Sequence, residues 1–264
     1  MTSKLALHGG IPTIQYPFEA YDSLGHEELM AANRVLSSKK LSSFKAGGGP
    51  AFLGGCEVNA LEEYAAKIFD QKYAVGFNSW TSGLMAMTGC LDGEMGDEVI
   101  TSPWTMAATA SSIACWNFVP VFVDVEHDSY NLDPVKVEAA ITPRTRAVLA
   151  VDIFGQPSNY EALRLICERH SIPLLIDAAQ SPGAVRNGVW AGTGGSVGGI
   201  SLNYHKHIHC GEGGIAFTDD PDIALRMRAI RNHGEANLEL RNDLRGLKLG
   251  FNFRLGEIEA AIAL

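Results

Sequence analysis

Between Tyr73 and Ala179, short apolar runs rich in β-branched residues alternate with segments of helical period, and few folds accept that order. YAVGF (73–77) predicts a strand and Thr81 to Leu91 a helix; EVITS (98–102) predicts a strand and Met106 to Trp116 a helix. VPVFVDV (119–125), RAVLAVDIF (146–154) and IPLLIDAA (172–179) predict three more strands, separated by helices over Pro134 to Ala140 and Tyr160 to His170. Asp133, with Pro134 at the first helical position, marks where the shorter helix begins. The apolar runs are continuous, as in strands covered on both faces. The chain is therefore expected to be α/β, with a mostly parallel, doubly wound sheet flanked by helices. Ligands of such sheets sit at the carboxyl ends of the strands, so the polar residues that follow each run deserve inspection first.

The flanks are less regular. Residues 1–20, with Gly9-Gly10, Pro12 and Pro17, have no steady period and read as an extended arm. Leu29, Ala32, Val35 and Leu36 share one face of a helix from His26 to about Ser38, and Leu61, Ala65, Ile68 and Phe69 one face of a second, from Val58 to Phe69. The glycine-rich stretch from Gly47 to Gly55 lacks the Lys-Ser/Thr ending of a P-loop and reads as a mobile loop near the active site. GTGGSVGG (192–199) reads as a loop, because it lacks the spacing of a dinucleotide fingerprint. The last residues, GFNFRLGEIEAAIAL, end in a helix with no C-cap and an apolar stripe of Leu255, Ile258, Ala261 and Ile262, which predicts that the protein continues. The domain reading is an arm over 1–20, a large domain over 21–246 and the start of a C-terminal segment over 247–264.

A net charge of −9 argues against a broad nucleic-acid-binding face. With 46% hydrophobic and 19% charged residues the chain has the composition of a folded domain with a sizeable core. The five cysteines are widely spaced, odd in number and include no C-x-x-C pair, which predicts reduced, mostly buried thiols in a cytoplasmic protein. No apolar run approaches the ~18 residues of a membrane span, and the N-terminus lacks the pattern of a secretory leader.

SLNYHKHIHCGEGGIAF (201–217) sets Lys206 among aromatic and imidazole side chains. A lysine beside a strand is most often a solvated charge. One that is buried tends to lose its proton, and a neutral amine is what forms a Schiff base with an aldehyde cofactor. Asp177 closes IPLLID at the carboxyl end of a strand; position alone favours a turn or N-cap role, whereas a buried carboxylate needs a cationic partner such as a protonated pyridine nitrogen. Gln180 stands three residues on, suited to a ring hydroxyl or to backbone. FNSWTSG (77–83) joins a strand to a helix, and the free N–H groups there, with Ser79, Thr81 and Ser82, favour an anion such as a phosphate monoester. PWTMAAT (103–109) offers Trp104 and Met106 as covers for a flat ring, with core packing as the alternative for Met106. His205, His207 and His209 would share one face of a strand, but no second ligand cluster accompanies them and no metal is expected.

In order along the chain, GDEVI (96–100), the PWTMAAT block, PVFVDV (120–125), ITPRTRAV (141–148), IDAAQSPGA (176–184), SLNYHK (201–206), GEGG (211–214), RNHG (231–234) and GFNFR (250–254) resemble the fold-type-I pyridoxal-phosphate aminotransferases of the DegT/DnrJ type. That family aminates keto groups on nucleotide-linked sugars and cyclitols. The resemblance implies pyridoxal 5'-phosphate (PLP) as cofactor, Lys206 as its Schiff-base lysine and proton carrier, and Asp177 as partner of the pyridine nitrogen. It places Gln180 near the ring hydroxyl, and Ser201 and the Ser79–Thr81 turn at the phosphate. Asn252 is implied to reach the phosphate from a neighbouring subunit, hence a homodimer, and glutamate or glutamine is the implied amino donor.

Three departures from the family pattern stand out. Trp80 replaces the glycine of a Ser-Gly-Thr turn, which forbids left-handed geometry there or puts an indole near the cofactor. Met106 stands where an aromatic residue commonly stacks on the ring, so that role passes in expectation to Trp104. The chain is also short for the family, with most of a small C-terminal domain absent from its 264 residues. Two alternatives accompany the transaminase reading. One is a dehydratase-like homologue that works with bound pyridoxamine phosphate, whose branch carries a histidine in place of the lysine. The other is a non-catalytic fragment or regulatory homologue.

Overall fold

A computed structural model describes residues 4–19, 21–45, 47, 49–235 and 249–264. Its centre is a seven-stranded sheet in the order β1-β9-β8-β5-β4-β2-β3. The strands are β1 (Tyr73–Phe77), β2 (Glu98–Thr101), β3 (Val119–Phe122), β4 (Thr145–Val151), β5 (Leu174–Asp177), β8 (Val197–Ser201) and β9 (Gly214–Thr218). A separate hairpin of β6 (Val185–Arg186) and β7 (Val189–Trp190) turns through Asn187 and Gly188, both at positive φ. The β2–β3, β2–β4, β4–β5 and β5–β8 pairs are parallel, and β9 runs against its neighbours β1 and β8. The mostly parallel sheet expected from the sequence is therefore present, with one reversed strand.

Alternation along the strands separates two cores. Val148, Ala150, Leu174 and Ile176 face one side and pack with Val58, Leu61 and Ala65 of α2 (Cys56–Ile68) and Leu163 and Ile166 of α6 (Tyr160–Arg169). Ala147, Leu149 and Leu175 face the other, against Leu84 and Met87 of α3 (Trp80–Gly89), Ile113 of α4 (Ala107–Ala114) and Met227 and Ile230 of α7 (Pro221–Arg231). The remaining helices among the described residues are α1 (His26–Ser38), α5 (Pro134–Ala140) and α8 (Glu257–Ala263). β3 lies at the sheet edge, where Pro120 costs no ladder bond.

Several expectations shift. GTGGSVGG is not all loop: Val197–Ser201 is β8, fully buried between β5 and β9. Its glycines follow from close approach rather than from flexibility. A Cβ on Gly198 would lie 2.4 Å from the Gly192 carbonyl oxygen, and one on Gly199 2.3 Å from the Trp80 indole. The strands after Val119, Arg146 and Ile172 are shorter than their apolar runs, because Asp152 leaves β4 for a 3-10 turn over Ile153–Gly155 and β5 stops at Asp177. In α1 the buried residues are Ala31 and Val35, which meet Ala261 of α8, whereas Leu29 and Leu36 are exposed. Only Cys167 and Cys210 are buried; Cys56 and Cys115 are exposed, so the thiols are not mostly buried.

Polar bonds bind the ends of the chain to the sheet. The Glu257 carboxylate accepts from the N–H groups of Gly55 (3.1 Å) and Glu57 (3.0 Å), so α8 caps α2. Arg231, fully buried, donates to Glu62 and to the Gly76 carbonyl of β1 (2.8 Å). The Asn78 N–H donates to the Phe253 carbonyl at 3.0 Å, which fixes the start of α3 against the GFNFR block. The expected boundary between residues 246 and 247 lies outside the described residues.

Candidate active site

β1, β5 and β8 end on the same edge of the sheet, and a cavity of about 280 Å³ opens there. Each strand delivers something different to it. β5 ends in Asp177, β8 in Ser201, and β1 leads through Asn78 into Ser79 and α3. The antiparallel pair β8–β9 then supplies the amine. Leu202 and Cys210 bond across the base of the connection, Leu202 N–H to Gly213 C=O at 2.9 Å and Cys210 N–H to Leu202 C=O at 3.1 Å, and Lys206 sits in the loop they close. Asn203 shapes that loop. Its carbonyl accepts from Lys206 N–H (2.8 Å), its side-chain oxygen accepts from His205 N–H (3.3 Å), and its amide donates to Glu212 (2.8 Å). The segment leading into α1 braces the outside, with the Tyr21 hydroxyl donating to the His207 carbonyl and Ser23 Oγ 2.9 Å from His209 Nε2. The segment is a turn, so the three histidines do not line one face of a strand as the sequence allowed.

Asp177 is 4% exposed at the floor of the cavity. Trp80 Nε1–H donates to its Oδ1 at 2.8 Å, Thr109 Oγ–H to its Oδ2 at 2.8 Å and Ala179 N–H to Oδ1 at 3.2 Å. Burial pushes this carboxyl above the usual range, while those three donors and the charge of Lys206 pull it back down. The Ala179 bond, two residues on, is the turn contact that position alone favoured; the other two come from the first turn of α3 and from α4.

At the opposite wall, Ser79 caps α3: its Oγ accepts from Ser82 N–H at 3.1 Å, and Ser82 Oγ donates to Asn78 Oδ1 at 2.7 Å. The helix needs no left-handed residue at position 80, so Trp80 enters it in helical geometry with its side chain turned inward. Thr81 lies on the exposed side of the same turn and lines the cavity, as do Ser79, Trp80, Met106, Ser201 and Lys206.

Two expected residues lie elsewhere. Gln180 does not line the cavity, because its side-chain oxygen accepts from Phe154 N–H at 2.8 Å. Asn252 is exposed; its carbonyl accepts from Asn78 Nδ2 at 3.3 Å, beside the start of α3 but outside this cavity. Trp104 does not take over from Met106: it stacks on Tyr130 (5.8 Å between centroids) and meets the edge of Phe154. The described residues of the glycine-rich stretch after Gly47 do not reach the cavity either. Thr109, Asn203 and Glu212 were missed. Thr109 was inside a block already singled out, but only its contact with Asp177, 68 residues away, distinguishes it from a helix-interior threonine.

An amine and a partly satisfied carboxylate share this cavity with the N-terminal turn of α3, whose first N–H groups have no partner within the helix. Together they suit a phosphorylated aldehyde with a basic ring nitrogen: the amine for the carbonyl, the carboxylate for the ring N–H, and the helix terminus for the phosphate.

Residues 40–264 match the DegT/DnrJ/EryC1/StrS aminotransferase family. UDP-2-acetamido-2-deoxy-3-oxo-D-glucuronate aminotransferase of Pseudomonas aeruginosa is 36% identical over 81% of this chain and 58% of its own length. dTDP-3-amino-3,4,6-trideoxy-alpha-D-glucose transaminase of Streptomyces venezuelae is 36% identical over 92% of this chain and 60% of its own. The solved structure of Helicobacter pylori PseC, an aminotransferase involved in the biosynthesis of pseudoaminic acid, superposes with a TM-score of 0.80 at 28% identity, covering 91% of this chain and 62% of that one. The chain thus spans about 60% of the length of the curated relatives it matches.

Proposed function

The chain belongs to the DegT/DnrJ/EryC1/StrS aminotransferase family, and from that premise we propose that the whole protein is a PLP-dependent transaminase. It moves an amino group from glutamate or glutamine to the keto group of a nucleotide-linked sugar or cyclitol. The observation that carries this reading is the placement of Lys206 and Asp177 in one cavity at the carboxyl edge of the sheet, with the start of α3 as its other wall. Two of the curated relatives are named for nucleotide-linked sugars, which supports the substrate class.

When bound, PLP supplies an aldehyde to combine with amines and a protonated ring to withdraw electrons. Lys206 Nζ would hold the cofactor's aldehyde and, as a free amine, could take up and return a proton there. Asp177, itself buried, would offer the ring nitrogen an anionic acceptor and so favour its protonated form. Ser79, Thr81 and Ser201, with the first N–H groups of α3, would bind the phosphate. Met106 would offer the ring a polarizable thioether, a weaker stacking partner than an aromatic side chain.

Asn252, exposed and outside the cavity of its own chain, is available to the phosphate site of a second copy in a homodimer. Gln180 would reach a ring hydroxyl only after releasing Phe154 N–H. The domain reading is retained: an arm over 1–20, a large cofactor-binding domain over 21–246 and the start of a C-terminal segment over 247–264. The five unpaired thiols support a cytoplasmic location. No helix among the described residues is long and apolar enough to cross a membrane. His205 lines the cavity, but the dehydratase branch has its histidine in place of the lysine, and here Lys206 is present.

The test is chemical capture. The chain is incubated with PLP, reduced with borohydride and digested; one pyridoxyl group is expected on the peptide containing Lys206 and none in Lys206→Ala. Equal labelling of the variant overturns the assignment. For the full-length protein, formation of 2-oxoglutarate from glutamate only when a keto sugar nucleotide is present supports the transaminase, and none across a panel of such acceptors overturns it.

A further inference from the structure

We infer that Trp80 is a positioning residue: with Thr109 it orients the Asp177 carboxylate, leaving one acceptor direction on Oδ2 for a cationic N–H in the cavity. The count of acceptors gives this result. An ionised carboxylate has about four acceptor directions, two on each oxygen. Oδ1 takes both Trp80 Nε1–H and Ala179 N–H, and Oδ2 takes only Thr109 Oγ–H. The direction left over is on Oδ2, and Asp177 lines the cavity.

Neither donor is free to leave. Trp80 is 4% exposed, and its indole fills a slot between α3 and the sheet. The slot exists because two neighbours lack side chains: a Cβ on Gly83 would lie 2.6 Å from the indole, and one on Gly199 2.3 Å. Thr109 is fully buried, and its hydroxyl lies 2.8 Å from that of Thr105. Since Thr109 gives its one hydroxyl proton to Asp177, it accepts from Thr105, and the direction of the relay is fixed. Both bonds to the carboxylate are charge-assisted and weaken if Asp177 takes a proton. They oppose the burial that would otherwise neutralise it. A glycine at position 80 would leave Oδ1 with Ala179 N–H alone.

The clamp concerns the ligand-free chain. Only the identity of the cation as the PLP ring N–H rests on the proposed function, and the experiment separates the two. In the ligand-free protein labelled with ¹⁵N at its indoles, the Trp80 N–H resonance, assigned by its loss in Trp80→Phe, is expected to move on acidification with a single midpoint. Asp177→Asn should abolish that titration, and Thr109→Val should raise the midpoint by about one pH unit, the size expected for a lost bond to a charge. In the PLP-loaded protein, Trp80→Phe should raise by a similar amount the pH at which the visible band changes. If none of the four indole resonances titrates in a way that Asp177→Asn abolishes, or if the midpoint does not move in Thr109→Val, the clamp is overturned even if Trp80→Phe does not fold. A titrating indole without capture of PLP at Lys206 supports the clamp and counts against the proposed function.

Discussion

Asp152 follows β4 and Asp177 ends the adjacent β5, and the Asp152 N–H donates to the Asp177 carbonyl at 2.9 Å. Both carboxylates are buried, and burial pushes both above the usual range, Asp152 to about 6. Their surroundings differ. Asp152 Oδ1 accepts from Ser158 N–H at 2.8 Å, and Oδ2 accepts the hydroxyl of Tyr160, which is itself packed against Gly194. Its partners are six and eight residues further on, so a single loop closes over it. Asp177 takes its two side-chain donors from α3 and α4, far away in sequence, and opens on a cavity that also holds Lys206. A carboxylate enclosed by its own loop serves as a structural anchor; one held by distant helices on a cavity that also holds an amine is placed to act on something else.

The largest effect that would break this contrast belongs to Asp177→Asn. On the proposed function it should lower turnover of the full-length protein on the order of 10²-fold or more, since the lost charge would act directly on the cofactor ring. It should not lower the melting temperature near pH 7, because a raised folded-state pKa means that ionised Asp177 costs stability there. Loss of stability with retained turnover would reverse the two roles.

Asp152→Asn should do the opposite, leaving turnover within a few-fold and changing how stability depends on pH. A carboxyl whose pKa rises from 3.8 to about 6 on folding contributes stability that is present below the unfolded value and lost as pH rises towards 6. The loss amounts to about 3 kcal/mol, from roughly two units at 1.36 kcal/mol each. Urea unfolding at pH 4 and at pH 7 should therefore show the variant gaining on the wild type as pH rises. A difference independent of pH would refute the assignment.

Tyr160→Phe should be the mildest, costing about 1–3 kcal/mol by leaving Asp152 Oδ2 without its donor. The cost should be greater at pH 7, where Asp152 is ionised, than at pH 4. Denaturation of the variant at the two pH values checks this, and PLP capture at Lys206 should be unchanged.

Much of the fold was legible in the sequence. The apolar runs located β1 to β5 because strands buried on both faces must be continuously apolar, and Asp133-Pro134 located the start of α5. β8 was not legible, because Val-Gly-Gly-Ile-Ser is glycine-rich for reasons of packing: Gly198 and Gly199 make room for the Gly192 backbone and the Trp80 indole. In the site, Lys206, Asp177, Ser79 and Thr81 were named from their surroundings in the sequence and Ser201 from the family resemblance, and all line the cavity. Gln180 and Trp104 were named on the same logic and do not, since Phe154 N–H and Tyr130 engage them first.

The sequence by itself determined the alternation of strands and helices, the edge of the sheet on which polar residues collect, and the family. These depend on local period and on ordered motifs, which a linear chain displays directly. Tertiary structure decided which of two similar runs, AVLAVD or PLLID, ends in a carboxylate that opens on a cavity. It also turned Trp80 from an unexplained substitution in a phosphate turn into a donor to Asp177. Those outcomes depend on contacts between residues 68 and 97 positions apart, and a pair that distant leaves no periodic trace in the sequence.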